Sequence, residues 1–201
     1  MITAFCGLCL MAVAGTNTGA QGASAAEQAV PTPNWTVPVL HASGLMVAMR
    51  VSEGVLWPVE FANFRLSYLG ERYQSAYTRP PEFDASRPFM RWDGDTVFIN
   101  AVGHGLFGSE VYMGARRCGW SWSGSLVLAA VSSTAWEYAI ETSGRQPSAQ
   151  DLVYTPLMGI ALGEARYAIW KSARGSSHGA RALRIAMDPL GEFERALGSS
   201  C

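Results

Sequence analysis

Apolar side chains along this chain return every three or four positions over several long stretches and never alternate over a run of strand length, so the pattern predicts helices throughout. From His41 to Trp57, the positions Leu45, Ala48, Met49, Val55 and Leu56 fall at helical spacing, interrupted by Ser52, and Pro58 should end that helix. Residues 59–72 read as a helical continuation beyond the break. Residues 73–95 hold Pro80, Pro81 and Pro88 and read as a long loop. Three strong helices follow. The first runs from about Thr96 to Arg117, with Asp95 or Thr96 as its N-cap. The second covers about Ser123 to Thr142 and stops at Ser143-Gly144. The third opens at Pro147-Ser148, where Ser148 and Asp151 form a capping-box-like pair, and runs to about Ser172 with a bend near Pro156. Residues 178–198 read as a short amphipathic helix, a break at Asp188-Pro189, and one or two more turns. The expected fold is therefore all-α: a compact helical bundle with three central glycine- and serine-rich helices and short flanking helices.

Residues four apart share a helix face, and here those faces are small and polar where a soluble bundle usually shows Leu and Ile. The first central helix carries Asn100, His104, Gly108, Tyr112 and Arg116 in line. The second carries Ser125, Ala129, Ser133, Glu137 and Glu141, and the third a Gly159/Gly163 step beside Glu164. Such small residues let helix backbones approach closely. Residues 118–136 carry no charge over a length of about 28 Å, near the thickness of a bilayer core. Two placements stay open: packing within a membrane, or a soluble or surface-associated bundle, which the serines and neighbouring charges favour slightly.

Composition narrows the classes further. A net charge of −1 without a basic run leaves no electrostatic case for nucleic acid, and 49% hydrophobic against 15% charged residues excludes disorder. Residues 1–25 lack any charge, and an apolar stretch over 4–14 leads to Ala23-Ser24-Ala25, the form of a secretory signal without its basic start. An extended lead-in over 26–40 and a single helical domain over 41–201 follow. After cleavage only Cys118 and Cys201 would remain of the four cysteines, and whether they pair stays open. Gly103, Gly105 and Gly108 follow no strand and precede no Gly-Lys-Ser/Thr, so no nucleotide cofactor is expected. Asp93-Gly94-Asp95 reads as a turn and cap, since no twelve-residue calcium loop follows.

Five ionisable residues stand out on otherwise small or apolar helices: His104, Glu137, Glu141, Asp151 and Glu164. Buried charges must pair, bind something or neutralise. The favoured reading is a polar lock between helices, in which His104 bonds Glu137 and a glutamate pairs with Arg116 or Arg166. Asp151 then belongs to the helix cap, and Glu164 bonds backbone or faces the surface. The sharper reading is a metal or acid/base site of His104, Glu137 and Glu141, suited in kind to a divalent ion such as zinc, manganese or iron. In that case His104 is the general base and Glu137 its orienting partner. Ser133 sits in no nucleophile-elbow sequence. His41 and His178 stand alone and take no role.

The ordered series Trp92-Asp93-Gly94-Asp95, Phe98, Asn100, Gly103-His104, Gly108-Ser109 and Ala115-Arg116 resembles the bacterial "domain of unknown function 3943" family. So do Ser133, Trp136-Glu137-Tyr138, Glu141, Pro147-Ser148, Asp151-Leu152, Thr155-Pro156, Gly159 and Leu162-Gly163-Glu164. The likeness covers about residues 90–167, and Arg184 with Asp188–Gly191 fits more loosely. Gly105 stands where the family often has proline. The layout is also distantly similar to VanZ-like helical membrane proteins. The resemblance implies a bacterial cell-envelope protein, exported and periplasmic or membrane-associated, with membrane lipid or an envelope protein as partner. It implies no known activity or cofactor. The expected role is structural or interactive. The alternative is a metal-dependent or acid/base enzyme acting on a lipid or cell-wall component at the same residues.

Overall fold

Helices begin five residues earlier than the lead-in reading allows. In the computed structural model, which describes residues 33–173, 175, 177–198 and 201, α1 runs Thr36–Leu56. Pro38 sits in its first turn, where a missing amide donor breaks no intrahelical bond. The leader expected over 1–25 lies outside the described residues. After a short α2 (Pro58–Phe61), α3 spans Leu66–Thr78 and takes up the first six residues of the stretch expected as loop. It ends where Arg79 is extended before Pro80, since a residue preceding proline avoids the helical region.

The three central helices form as expected, each with an irregular turn. A π-helical segment, Phe98–His104, feeds α4 (Gly105–Arg117), and the Thr96 hydroxyl accepts the Ile99 amide. α5 (Trp122–Ala135) is capped by Ser121 and passes through a π turn, Trp136–Ile140, into a last turn at Glu141–Ser143. α6 (Ala149–Met158) is capped by Ser148, followed by a third π turn, Gly159–Gly163, and α7 (Glu164–Ser172). α8 (His178–Met187) and α9 (Pro189–Ala196) meet at Asp188-Pro189, the expected break. Among the described residues there is one isolated bridge pairing and no strand: Glu82 pairs with Ser148 and ties the loop before α4 to the start of α6.

Small residues decide how closely the central helices approach. A Cβ on Gly108 would lie 2.0 Å from the Thr155 carbonyl oxygen, and one on Gly159 would lie 3.1 Å from the Gly108 carbonyl oxygen. Backbone therefore packs on backbone at the α4–α6 crossing. Around it Ala42, Phe107, Val111, Ala129 and Trp136 form the apolar core. Trp120 is buried, packs at a tilt against Trp35 and donates its indole N–H to the Asn34 carbonyl, whereas Trp122 is exposed. Cys118 and Cys201 form a disulfide that closes 83 residues of chain. Disulfides typically contribute about 2–4 kcal/mol, and long loops such as this one lie at or slightly above the upper end.

Beside the apolar core, many polar side chains are buried and many apolar ones are exposed. Asn100, His104, Ser109, Ser125, Ser132, Ser133, Glu137, Asp151 and Thr155 are buried. Val102, Leu106, Val127, Val131, Val153 and Leu157 face outward. On α1, Val47, Val51 and Val55 lie four apart and are 63%, 62% and 73% exposed. By length and composition α1 could cross a membrane, with only 11% of its apolar window buried.

Candidate functional site

One end of the bundle gathers the C-terminal end of α5, the start of α6, the π segment before α4 and the loop carrying Asp93. Two π turns aim the ionisable groups, because each inserts a residue into the helical repeat and re-directs the side chains beside it. His104 closes the first and Glu137 lies in the second. The donor atoms of His104, Glu137 and Glu141 come within 4.8 Å of one another, and all three residues are buried. These are the three residues named from sequence for the metal site. Donors around a tetrahedral ion bound at about 2.1 Å lie about 3.4 Å apart, so the three side chains must draw closer to hold one ion.

The expected lock partners do not form. His104 Nδ1 bonds Thr155 Oγ1 at 3.2 Å, and its Nε2 lies 3.6 Å from Asp151 Oδ2; Glu137 is not its partner. Arg116 is engaged by Glu164 at 2.9 Å and Arg166 by Glu110 at 2.5 Å, because helix crossings bring those residues together first. Glu164 therefore belongs to a half-exposed pair with Arg116 and Tyr112, away from the His104 cluster. The capping box is rearranged as well. Ser148 Oγ accepts the Asp151 amide as expected, but the carboxylate that accepts the Ser148 amide, at 2.7 Å, is Glu137 Oε2. Asp151 instead turns inward. Ser133 donates to the Asp151 carbonyl at 3.0 Å and is no free nucleophile.

Asp93, read from sequence only as a turn residue, joins the site. Its Oδ1 accepts the Asp95 amide and Asn100 Nδ2, and its Oδ2 accepts Ser148 Oγ at 2.7 Å. Gly94 takes the left-handed φ of 96° that this turn needs. Met90, a non-glycine residue at φ 60°, is held by a bond from Asn100 Nδ2 to its carbonyl. No periodicity links Asp93 to the site, because it lies in a turn before the helical segment that carries Asn100. His41, without a role in the sequence, is buried against Glu194 and Glu110 and fastens α9 to α1.

Four carboxyl groups thus lie around one imidazole, a fifth, the half-buried Glu53, acts on Glu137 and Glu141, and among the described residues no Lys or Arg pairs with the four. Among the described residues, Glu137 Oε1, Glu141 Oε2 and Asp151 Oδ1 are buried without a well-formed hydrogen bond, Glu141 having only the nearby Trp136 side chain and Asp151 the Asp93 carboxyl. The groups respond by neutralising. Burial, with Asp93 alongside, pushes Asp151 up to about 9. Burial also raises Glu137 to about 8, against the opposing Ser148 amide, and lifts Glu141 well above the carboxylate range. Burial lowers His104 to about 4, opposed by the Asp93 charge.

These directions set a pH dependence for the metal-free protein. Carboxyl groups whose folded pKa lies above the unfolded value keep protons that the unfolded chain releases, so their contribution is complete at low pH and is lost as pH rises toward 8 and 9. His104 acts oppositely, but only below its unfolded value of about 6.5. Melting temperature in EDTA should therefore fall between pH 6.5 and 9, and the Glu137→Gln/Glu141→Gln double variant should reduce that slope, leaving the part that Asp151 and the half-buried Glu53, raised to about 7, contribute. An unchanged slope in the variant would place the titration elsewhere.

Neither a curated protein nor a solved structure matches the chain. A family model does, over residues 89–190, which takes in Asp93, Asn100, His104, Glu137, Glu141, Asp151 and Thr155. By that match the chain belongs to the family described as a domain of unknown function (DUF3943).

Proposed function

We propose that this domain is a divalent-cation-dependent acid/base enzyme of the bacterial cell envelope, exported and membrane-associated, acting on a lipid or cell-wall component. The observation that carries the reading is the convergence of His104, Glu137 and Glu141 within 4.8 Å, with a buried oxygen on each glutamate left without a well-formed hydrogen bond. A structural lock would satisfy those oxygens, since an unmade buried bond costs about 1–3 kcal/mol. One imidazole and two carboxylates suit zinc, manganese or iron, which supply Lewis acidity and an acidified bound water.

The chain's own residues prepare the donors. Thr155 engages His104 Nδ1 and leaves Nε2 as the ligating nitrogen. The Ser148 amide holds Glu137 Oε2 and leaves Oε1. Asp151, beside His104 and close to Asp93, is the group that gives or takes a proton. The test is cation-induced stabilisation of the purified full chain after chelation, compared with the Glu137→Gln/Glu141→Gln variant.

Membrane association rests on the apolar exterior, since a patch this extended on a water-facing surface needs a cover. Its partner is membrane lipid. The protein should float with phosphatidylethanolamine/phosphatidylglycerol vesicles, and Val47→Asp/Val51→Asp/Val55→Asp should reduce the floated fraction several-fold. Equal flotation of the triple variant would remove α1 from the contact.

A further inference from the structure

Beside the His104 cluster lies a polar cleft of about 400 Å³, within the size range of small-molecule sites. Arg72, Arg87 and Arg145 line it together with Asp93, Glu141 and Ser148. Glu141 thus belongs both to the cation-binding trio and to the cleft wall. The three arginines are not equivalent. Arg87 is neutralised by Glu82 at 2.9 Å and Asp84 at 3.4 Å. Arg145 is neutralised by Glu60 at 2.9 Å and by Asp95. Among the described residues Arg72 has no carboxylate partner, and its Nε is buried with its bond unmade.

Arg72 is nevertheless firmly placed. Its helix, α3, is fastened to the site end by Tyr73 Oη donating to the Ala139 carbonyl at 2.7 Å. Ser75 bonds Gln146 at 3.1 Å, and Tyr77 Oη donates to the Tyr138 carbonyl at 3.2 Å. Arg72 and Glu141 line one cleft, and among the described residues Arg72 Nε and Glu141 Oε2 are buried at its wall without a hydrogen bond to each other. A group that bridges them must offer oxygen acceptors to a guanidinium and a cation to a carboxylate. A metal-bound phosphate does both, and a guanidinium fork binds phosphate through paired N–H donors.

We propose that this cleft receives a phosphate group of the substrate, held by Arg72 on one side and by the cation at His104, Glu137 and Glu141 on the other. The proposal rests on the cation reading above. It adds an order of binding: the carboxylates lining the cleft repel a bare phosphate, so phosphate binds after the cation.

Calorimetric titration of the full chain separates the two claims. Mn²⁺ alone is titrated first, then inorganic phosphate and glycerol phosphate with and without Mn²⁺, and lastly vesicles containing phosphatidic acid. The expected result is phosphate binding only with Mn²⁺ present, weakened at least tenfold in Arg72→Gln and less in Arg72→Lys, with Mn²⁺ affinity unchanged in both. Stronger binding of phosphatidic acid vesicles than of glycerol phosphate, still dependent on Arg72, assigns the group to a lipid headgroup; equal binding assigns it to a soluble ester. If Mn²⁺ binds but Arg72→Gln leaves phosphate affinity intact, or phosphate binds without Mn²⁺, the phosphate proposal falls and the cation reading stands. If Mn²⁺ itself does not bind, the cation reading fails, and the phosphate proposal with it.

Discussion

Manganese or zinc at a hundredfold excess over its Kd should raise the melting temperature of the chelated protein by about 5–11 °C, and the Glu137→Gln/Glu141→Gln variant should lose that rise. The magnitude follows from linkage: at that excess a ligand confined to the folded state stabilises by about 2.7 kcal/mol, and a chain of this size shifts by about 2–4 °C per kcal/mol. Glutamine keeps the volume of glutamate and an oxygen for the Ser148 amide, so the variant retains the α5–α6 contact. What it removes is the charge of two carboxylates, each with one buried oxygen that lacks a well-formed hydrogen bond among the described residues. The rise should also grow with pH, because the ion displaces protons from carboxyl groups whose pKa burial has raised. A rise of the same size in the double variant would locate the bound ion elsewhere.

Gly108→Ala should be among the most damaging single-methyl additions in the molecule. Its Cβ would sit 2.0 Å from the Thr155 carbonyl oxygen and 2.8 Å from the Thr155 carbonyl carbon. Those are backbone atoms, which cannot rotate away, so α4 and α6 must separate. Overpacking of this kind costs about 3 kcal/mol, or roughly 6–12 °C in melting temperature for a chain of this size. Separation would also draw Thr155 from His104 Nδ1, so cation affinity should fall together with stability. Gly103→Ala is the control. It lies five residues earlier in the same helical stretch, and its Cβ would meet nothing within 4 Å. It should be neutral, or stabilising by up to about 1 kcal/mol through helix propensity. Thermal melts of the two variants, with and without Mn²⁺, check both halves. Equal melting temperatures would mean that the helices do not cross at Gly108.

Much of the helical frame was legible because its signals are local. Ser148 reads as an N-cap and is one; Asp188-Pro189 reads as a break and is one. The last six residues of α3 were lost to the proline count after them, since Pro80 marks only where a helix stops and says nothing of residues 73–78. The trio of His104, Glu137 and Glu141 was legible for a different reason: ionisable side chains on small, apolar helices have few places to go. Their partners were not legible. Arg116 chose Glu164 and Asp151 left its capping role for His104, because both choices depend on which helix faces meet.

The sequence by itself determined the helices, most of their ends and the residues able to carry chemistry, since capping, periodicity and the cost of burying charge act within a few residues of one another. Only the tertiary structure decided how those residues combine. Backbone contact at Gly108 sets the α4–α6 crossing. Two π turns carry His104 and Glu137 to the same end of the bundle as Glu141. The bridge at Glu82 and Ser148 ties down the loop that carries Asp93, and α3 brings Arg72 to the cleft. These are meetings between groups tens of residues apart, fixed by the packing of whole helices, and no local pattern encodes them.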